Sequence, residues 1–572
     1  MKRRDFMQKS TYAALAVPAS RVSLSRRIEP VPSLASTGCD PTAGITLRDA
    51  RVKALALAAV DAARSAGARY ADVRLTNTLT RTVTWTSVAS QTVQLGLSVR
   101  ALVNGYWGWA ATPIVSTDEA VRVARLATRF AMVTATRGRP RTVELGTIPV
   151  VQDGEWATPV KIDPFGLDLV ELHNWCLAIG AHLQDMADAR HASPSHAWDL
   201  ATSNATGCAV NFSKQELLSA STEGSLLTQT VITTAPSVSV WYGAGATIIP
   251  GFNTPVQAGW ERLSETPLVE LFQQVMDKVD AAPPAPPSKP LDIGRYDVVF
   301  SANAVAQLLS QSLAPAMEVD RALGYEANAS GTSYLGPDPL SRLGTPIASP
   351  LVTMTADRSS PLGMATIRWD DDGVAPEDFP LITNGVLQNY PTTREQAPWL
   401  TSWYEKQGRP VRSHGCAMAP DALSEPMQHT PNLTLHPGAG SADEHTLVQD
   451  LEHGLLIGVA NNLPIGIVNN LQMDWQYLNG YAFPVTATEI RHGRPIATTA
   501  LGGGNASPPS GLVFRADELW KNVEAIGGAA SAISVGNYVS VKGDPQQATS
   551  YTISAVPVRA KQLAIIDATR KA

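Results

Sequence analysis

The chain has 572 residues, 17% of them charged, and a formal net charge of −6 at pH 7. That length can hold at least two domains with large cores. The small negative charge and the lack of a long basic block argue against nucleic acid as a partner, and no run of about 18 apolar residues follows the N-terminus to span a membrane. Forty-two glycines and 41 prolines point to many turns and a sizeable β content.

Met1–Ser20 carries Arg3-Arg4, Phe6, a short apolar run and small residues around Val17-Pro18-Ala19. It resembles a twin-arginine export signal, so a periplasmic or exported protein is expected. Residues 21–44 read as a linker and residues 45–280 as an N-terminal α/β domain. Leu47–Ala66 has the pattern of an alanine-rich amphipathic helix. Strands are expected at Arg69–Thr76 and Thr82–Val88, with a hairpin over Leu97–Thr112 turning at Asn104-Gly105. Helices follow at Glu119–Thr136, Asp163–Ala189 and Leu268–Asp280, and strands over Ala209–Val240 turn at Ser221–Ser225. His173, Cys176 and His182 share the second of these helices, where ordinary packing is the expectation. The Pro-rich stretch 281–291 is a second linker, and residues 292–572 form the β-rich C-terminal domain. None of Cys39, Cys176, Cys208 and Cys416 stands in a Cys-x-x-Cys pair, which leaves their disulfide state open.

The second half opens with a strand at Arg295–Ser301 and a helical stretch, Val305–Glu326. Leu309, Leu313 and Met317 place one apolar stripe on that helix, and Pro315 must kink or restart it. A strand at Gly363–Trp369 runs into Asp370-Asp371-Asp372-Gly373-Val374, read as a solvated turn in preference to a cation site. A hairpin turns at Asn384-Gly385. Ser413-His414-Gly415-Cys416 has the residue types of a nucleophilic pair without useful spacing. Strands follow at Pro431–Gly438, Leu455–Ile467 and Tyr481–Ile490, with a short helix over Leu447–Gly454 stopped by its glycine.

Several of these blocks, in this order, resemble the TldD/PmbA family of metallopeptidases and their relatives: Tyr70-Ala71-Asp72-Val73-Arg74, Gly96–Ala110, Ser221–Gly224, Asp370–Val374 and the Pro431–Gly438 strand. The resemblance implies an α+β, two-domain protein linked to peptide processing. It also puts Val305–Glu326 in the setting of the family helix Leu-Leu-His-Glu-x-x-Gly-His-x-x-Glu-x-Asp. Leu308, Leu309, Glu318 and Asp320 match it, but Ser310, Gln311 and Pro315 stand where the zinc-binding histidines and the glutamate base would be. Zinc takes imidazole, thiolate or carboxylate, and glutamine takes up no proton at neutral pH. The family's C-terminal cysteine ligand is also missing, since Cys416 is the last cysteine.

The expectation is therefore a zinc-less, catalytically degenerate subunit with no cofactor of its own. With a TldD/PmbA-like partner, as a homo- or heterodimer, it would form a chamber for unfolded or extended peptides. Glu318, Asp320, Asp370, Asp371 and Asp372 are its candidate cleft residues. The alternatives are an active peptidase with other ligands, such as Glu318, Asp320, Glu326 or His414, and an exported binding or structural protein.

Overall fold

The computed structural model describes residues 46–567, except 87–89, 139–142, 192–197, 200–206, 243–244, 250–251, 282–286, 288, 459–466, 470–478, 483–485 and 501–511. The signal, the first linker, Cys39 and most of the Pro-rich linker lie outside the described residues. The fold is α+β.

Helix α1 (Ala50–Ser65) starts behind Asp49, whose carboxylate accepts the Arg51 N–H. Helix α2 (Thr117–Arg137) starts on Ser116, whose hydroxyl accepts the Glu119 N–H; each cap satisfies a backbone donor with no partner inside the helix. Between them run β1 (Tyr70–Thr84), β2 (Ser90–Val103) and β3 (Tyr106–Thr112). The β2–β3 turn uses Asn104 at φ 50° and Gly105 at φ 79°, as a two-residue hairpin requires. Where two strands were expected, β1 is one. Its pairing with β5 (Cys208–Ser221) is unbroken from Asp72 to Thr84, so neighbours on both sides carry it through its polar centre.

With β6 (Leu226–Tyr242) and the parallel β4 (Gly154–Ala157), these strands form a sheet ordered β3-β2-β1-β5-β6-β4. Val60, Val73, Val99 and Val123 share the core between this sheet and helices α1 and α2. Helices α3 (Leu169–His191) and α4 (Leu268–Asp280) share another core with it through Leu183, Phe212 and Phe272. His173 and Cys176 serve this packing: the imidazole Nδ1 pairs with the Thr84 carbonyl at 3.0 Å and the thiol is free and buried.

The remainder builds two large sheets around one core, beside a small two-stranded pair of Ala417–Met418 with Met427–Gln428. The first contains β7 (Gly294–Phe300), β12 (His453–Ile457), β13 (Thr486–Arg491), β14 (Arg494–Ala500) and β17 (Val558–Asp567), ordered β17-β7-β12-β13-β14. The second is ordered β10-β9-β8-β11-β16-β15, from β8 (Met354–Asp357), β9 (Phe379–Thr383), β10 (Val386–Leu387), β11 (Asn432–Leu435), β15 (Ile533–Lys542) and β16 (Gln547–Ala555). Helix α5 (Ala302–Gln311) lies in their common core, where Val305, Leu308 and Leu309 meet Phe300, Met354 and Ile553.

Two further elements differ from expectation. Residues 363–369 are a loop, not a strand, because side chains take their backbone donors. Met364 N–H donates to Thr552 Oγ1, Ala365 N–H to Asn432 Oδ1 and Arg368 N–H to Gln229 Oε1. The short helix ends at Gln449, and Gly454 lies inside β12. A Cβ on Gly454 would fall 2.2 Å from the Asp297 carbonyl oxygen, so glycine is required there by the close approach of β12 to β7.

Candidate functional site

The segment after α5 breaks earlier than its proline suggests. Ser312, at φ −127° and ψ −79°, ends α5, and the chain restarts as α6 (Leu313–Ala316) and α7 (Val319–Ala322). Pro315 thus falls in the first turn of a new helix, where its missing N–H costs nothing. The Ser312 hydroxyl donates to the Leu308 carbonyl and accepts the Trp520 indole N–H at 2.9 Å.

None of Ser310, Gln311 and Pro315 offers a zinc ligand. Ser310 spends its hydroxyl on the Gln307 carbonyl, 2.8 Å away. Gln311 has a neutral amide, and buried Pro315 has no donor atom to give. Among the described residues no group of three or more His, Cys, Asp and Glu side chains is placed to hold a metal ion. The side chains present therefore do not fit the family's zinc.

Glu318 and Asp320 do converge, contrary to their helical spacing. Glu318 is the extended residue before α7, at ψ 113°, and this turns its carboxylate toward that of Asp320. The two meet at Lys542, which is 0% exposed in its side chain. Its ammonium lies 2.6 and 2.7 Å from the Asp320 oxygens, 2.9 Å from Gln428 Oε1 and 3.5 Å from Glu318. Glu318 also accepts from Arg321 Nε at 2.7 Å and Thr430 Oγ1 at 3.0 Å. Burial raises the Asp320 carboxyl against the pull of Lys542. Burial also acts on Glu318, but Lys542 and Arg321 together overcome it and hold that carboxyl low. Glu326 accepts from Ser330 Oγ and from Gly543 N–H.

The three aspartates occupy a second buried network, not a solvated turn. Asp370 folds the turn on itself: its carboxylate accepts the N–H groups of Asp372, Val374 and Ala417 at 2.8–3.0 Å. Burial and the neighbouring Asp372 push its carboxyl well above the usual range. Asp371 accepts the Ala419 N–H at 2.7 Å and pairs with Arg74 of β1 at 3.0 Å. Asp372 pairs at 2.8 Å with Arg100 of β2, which also binds Asp72 at 2.8 Å, and accepts the Arg394 N–H. Arg394 in turn grips Glu223 through two bonds of 2.9 and 3.1 Å. The turn therefore ties the first sheet to the C-terminal half.

His414 and Cys416 do not form a reactive pair. His414 stacks on Phe379, 3.8 Å between ring centres, and its Nε2 meets the Tyr404 hydroxyl at 2.9 Å. Cys416 is buried, and burial pushes its thiol up to about 11, far from a nucleophile's range.

Sequence reasoning missed Arg74, Arg100, Arg358, Arg394 and Lys542. One signal was present in Tyr70–Leu75. Asp72 and Arg74 alternate with Val73 and Leu75, yet all four are buried. The polar face of β1 meets protein instead of water.

The described residues thus place a broken helix in a two-sheet core that buried ion pairs lock to a separate large sheet. Residues 293–493 match the model of the PmbA/TldA metallopeptidase C-terminal domain. A metalloprotease of Methanothermobacter thermautotrophicus is 25% identical over 399 residues, covering 68% of this chain and 76% of that one. The crystal structure of TldE from Thermococcus kodakarensis superposes with a TM-score of 0.55 at 13% identity, over 88% of this chain and 98% of that one. A structure described as a modulator of DNA gyrase, from Bacteroides thetaiotaomicron, superposes with a TM-score of 0.56 at 14% identity, over 91% of this chain and all of that one. The domain match over residues 293–493 and the shared fold support the likeness of this chain to the TldD/PmbA family.

Proposed function

We propose that this protein is a zinc-less, catalytically degenerate member of its family that builds a peptide-binding chamber with a TldD/PmbA-like partner subunit. The observation that carries this reading is the helix α5–α7 segment. It is largely buried, with Glu318 and Asp320 tied into the ion-pair network, while Ser310, Gln311 and Pro315 offer zinc no ligand. A water-activating zinc needs about three protein ligands and a base. The carboxylates that could stand in for them are engaged by Lys542 and Arg321. Export by a twin-arginine signal is part of the same proposal, resting on Arg3, Arg4 and the apolar run behind them.

The test is to purify the full chain alone and with co-purifying subunits, measure zinc by mass spectrometry, and follow cleavage of an unfolded peptide. The chain alone is expected to carry no stoichiometric zinc and to cut nothing, and to co-purify with a second family subunit. Stoichiometric zinc together with cleavage by the chain alone would overturn the reading.

A further inference from the structure

Between the first sheet and the C-terminal half lies a cavity of about 330 Å³, walled by β5, β6, β16 and the 364–371 loop. It is roughly the space of ten waters, more than a lone inorganic ion fills. Two guanidinium groups line it. Arg74 is paired with Asp371, which lines the cavity beside it. Arg358 is different. It is 2% exposed, and its described partners are the carbonyls of Ala365 at 3.4 Å and His429 at 3.0 Å and the neutral Cys416 thiol. The Nε of each arginine is buried with no hydrogen-bond partner. A buried cation without an anion is costly, and an orphaned Nε–H on a residue that lines a cavity leaves a donor unsatisfied.

We propose that this cavity is a carboxylate-binding site, in which Arg358 receives the C-terminal carboxylate of an extended peptide. The charge count favours a monoanion: Arg74 is already neutralised, one positive charge remains, and the Asp371 carboxylate in the wall repels a dianion such as phosphate. A planar guanidinium offers a carboxylate charge-assisted donors in a fixed fork. The walls supply hydroxyl groups from Ser213, Thr233 and Thr549 for a peptide backbone. The peptide as occupant rests on the proposed chamber function; the carboxylate does not.

The test uses calorimetric titration of the full chain with three probes: an N-acetylated, alanine-rich octapeptide acid, its C-terminal amide, and propionate. Wild type is compared with Arg358→Gln and with Thr549→Trp, which fills the cavity from a half-exposed wall and leaves the buried arginine in place. The acid is expected to bind about tenfold or more tightly than the amide, the worth of one charge-assisted contact, and both variants should erase that difference. Equal binding of acid and amide by the wild type, or discrimination that survives in Arg358→Gln, overturns the site. If Arg358→Gln does not fold, Thr549→Trp decides. Propionate binding that is lost in both variants, with no peptide binding, upholds the carboxylate site and removes the peptide chamber. No binding of any probe leaves a water-filled cavity and overturns the proposal.

Discussion

Replacing Lys542 by methionine keeps the bulk of the side chain and removes its charge. The ammonium makes two bonds to Asp320, of 2.6 and 2.7 Å, and one of 2.9 Å to Gln428. Charge-assisted bonds are worth about 1.5–3 kcal/mol each. Removing one partner of a buried pair strands the other, at about 3–5 kcal/mol; Arg321 remains for Glu318, but Asp320 keeps only Gln396 Nε2 at 3.2 Å and the Arg321 N–H at 2.7 Å. The expected loss at pH 7.5 is therefore about 3–5 kcal/mol, read from urea unfolding. The sign with pH follows from the carboxylates. Glu318 has a lowered folded pKa, so its stabilisation is present above the unfolded value of 4.5 and lost as pH falls through the folded one. Asp320 is raised, so its contribution is present below 3.8 and lost as pH rises through the folded value. Without Lys542 both carboxyls shift upward and take protons sooner, so the deficit of the variant should narrow between pH 7.5 and pH 5. A loss under about 1 kcal/mol, or a deficit that does not narrow, would refute this account of the network.

Burial holds the His429 imidazole down to about 3, against 6.5 in the unfolded chain, so stability should fall as pH drops from 6.5 toward 3, by up to about 1.4 kcal/mol per unit. His429→Gln should flatten that part of the stability curve in acid titration. Gly454→Ala should cost about 1–3 kcal/mol in chemical unfolding, the price of overpacking a contact that cannot give, whereas Gly166→Ala, with nothing within 4 Å of its added Cβ, should leave the midpoint nearly unchanged. Gln229→Leu removes an amide that donates to the Trp369 carbonyl at 2.7 Å and accepts from the Arg368 N–H; a loss of about 1–3 kcal/mol is expected, with faster proteolysis within residues 363–369. Cys176, Cys208 and Cys416 are free and buried, so iodoacetamide followed by mass spectrometry should label none of them until the chain is unfolded.

Local chemistry was the most legible part of the sequence. Asn104-Gly105 and Asn384-Gly385 both form the hairpins their residue types specify, with positive φ at all four positions. The amphipathic helices lie within a few residues of their patterns, and Leu268–Asp280 coincides with its own. Partners distant in the chain were not legible. Residues 363–369 have strand-like composition, but Asn432, Thr552 and Gln229 capture their donors from 67 to 188 positions away. Gly454 resembled a helix stop because its real constraint, the Asp297 carbonyl, lies on another strand. The carboxylates Glu318, Asp320 and Asp370–Asp372 stood out as candidate cleft residues, but the pairing cations Lys542, Arg74 and Arg100 did not: an arginine in an alternating strand looks the same whether water or another sheet lies beyond it.

The Asp370–Asp372 turn has a consequence for the order in which the chain can fold. Arg74 and Arg100 sit in β1 and β2, yet two of the carboxylates that neutralise them are 297 and 272 positions later, at Asp371 and Asp372. During synthesis the first sheet is complete long before those aspartates leave the ribosome. Until then Arg74 lacks its acid and Arg100 has only Asp72, so the face they share must stay wet. Contacts of such long sequence separation close late. The last step in forming that sheet is thus the drying of its polar face, and it waits on a turn made from the other half of the gene.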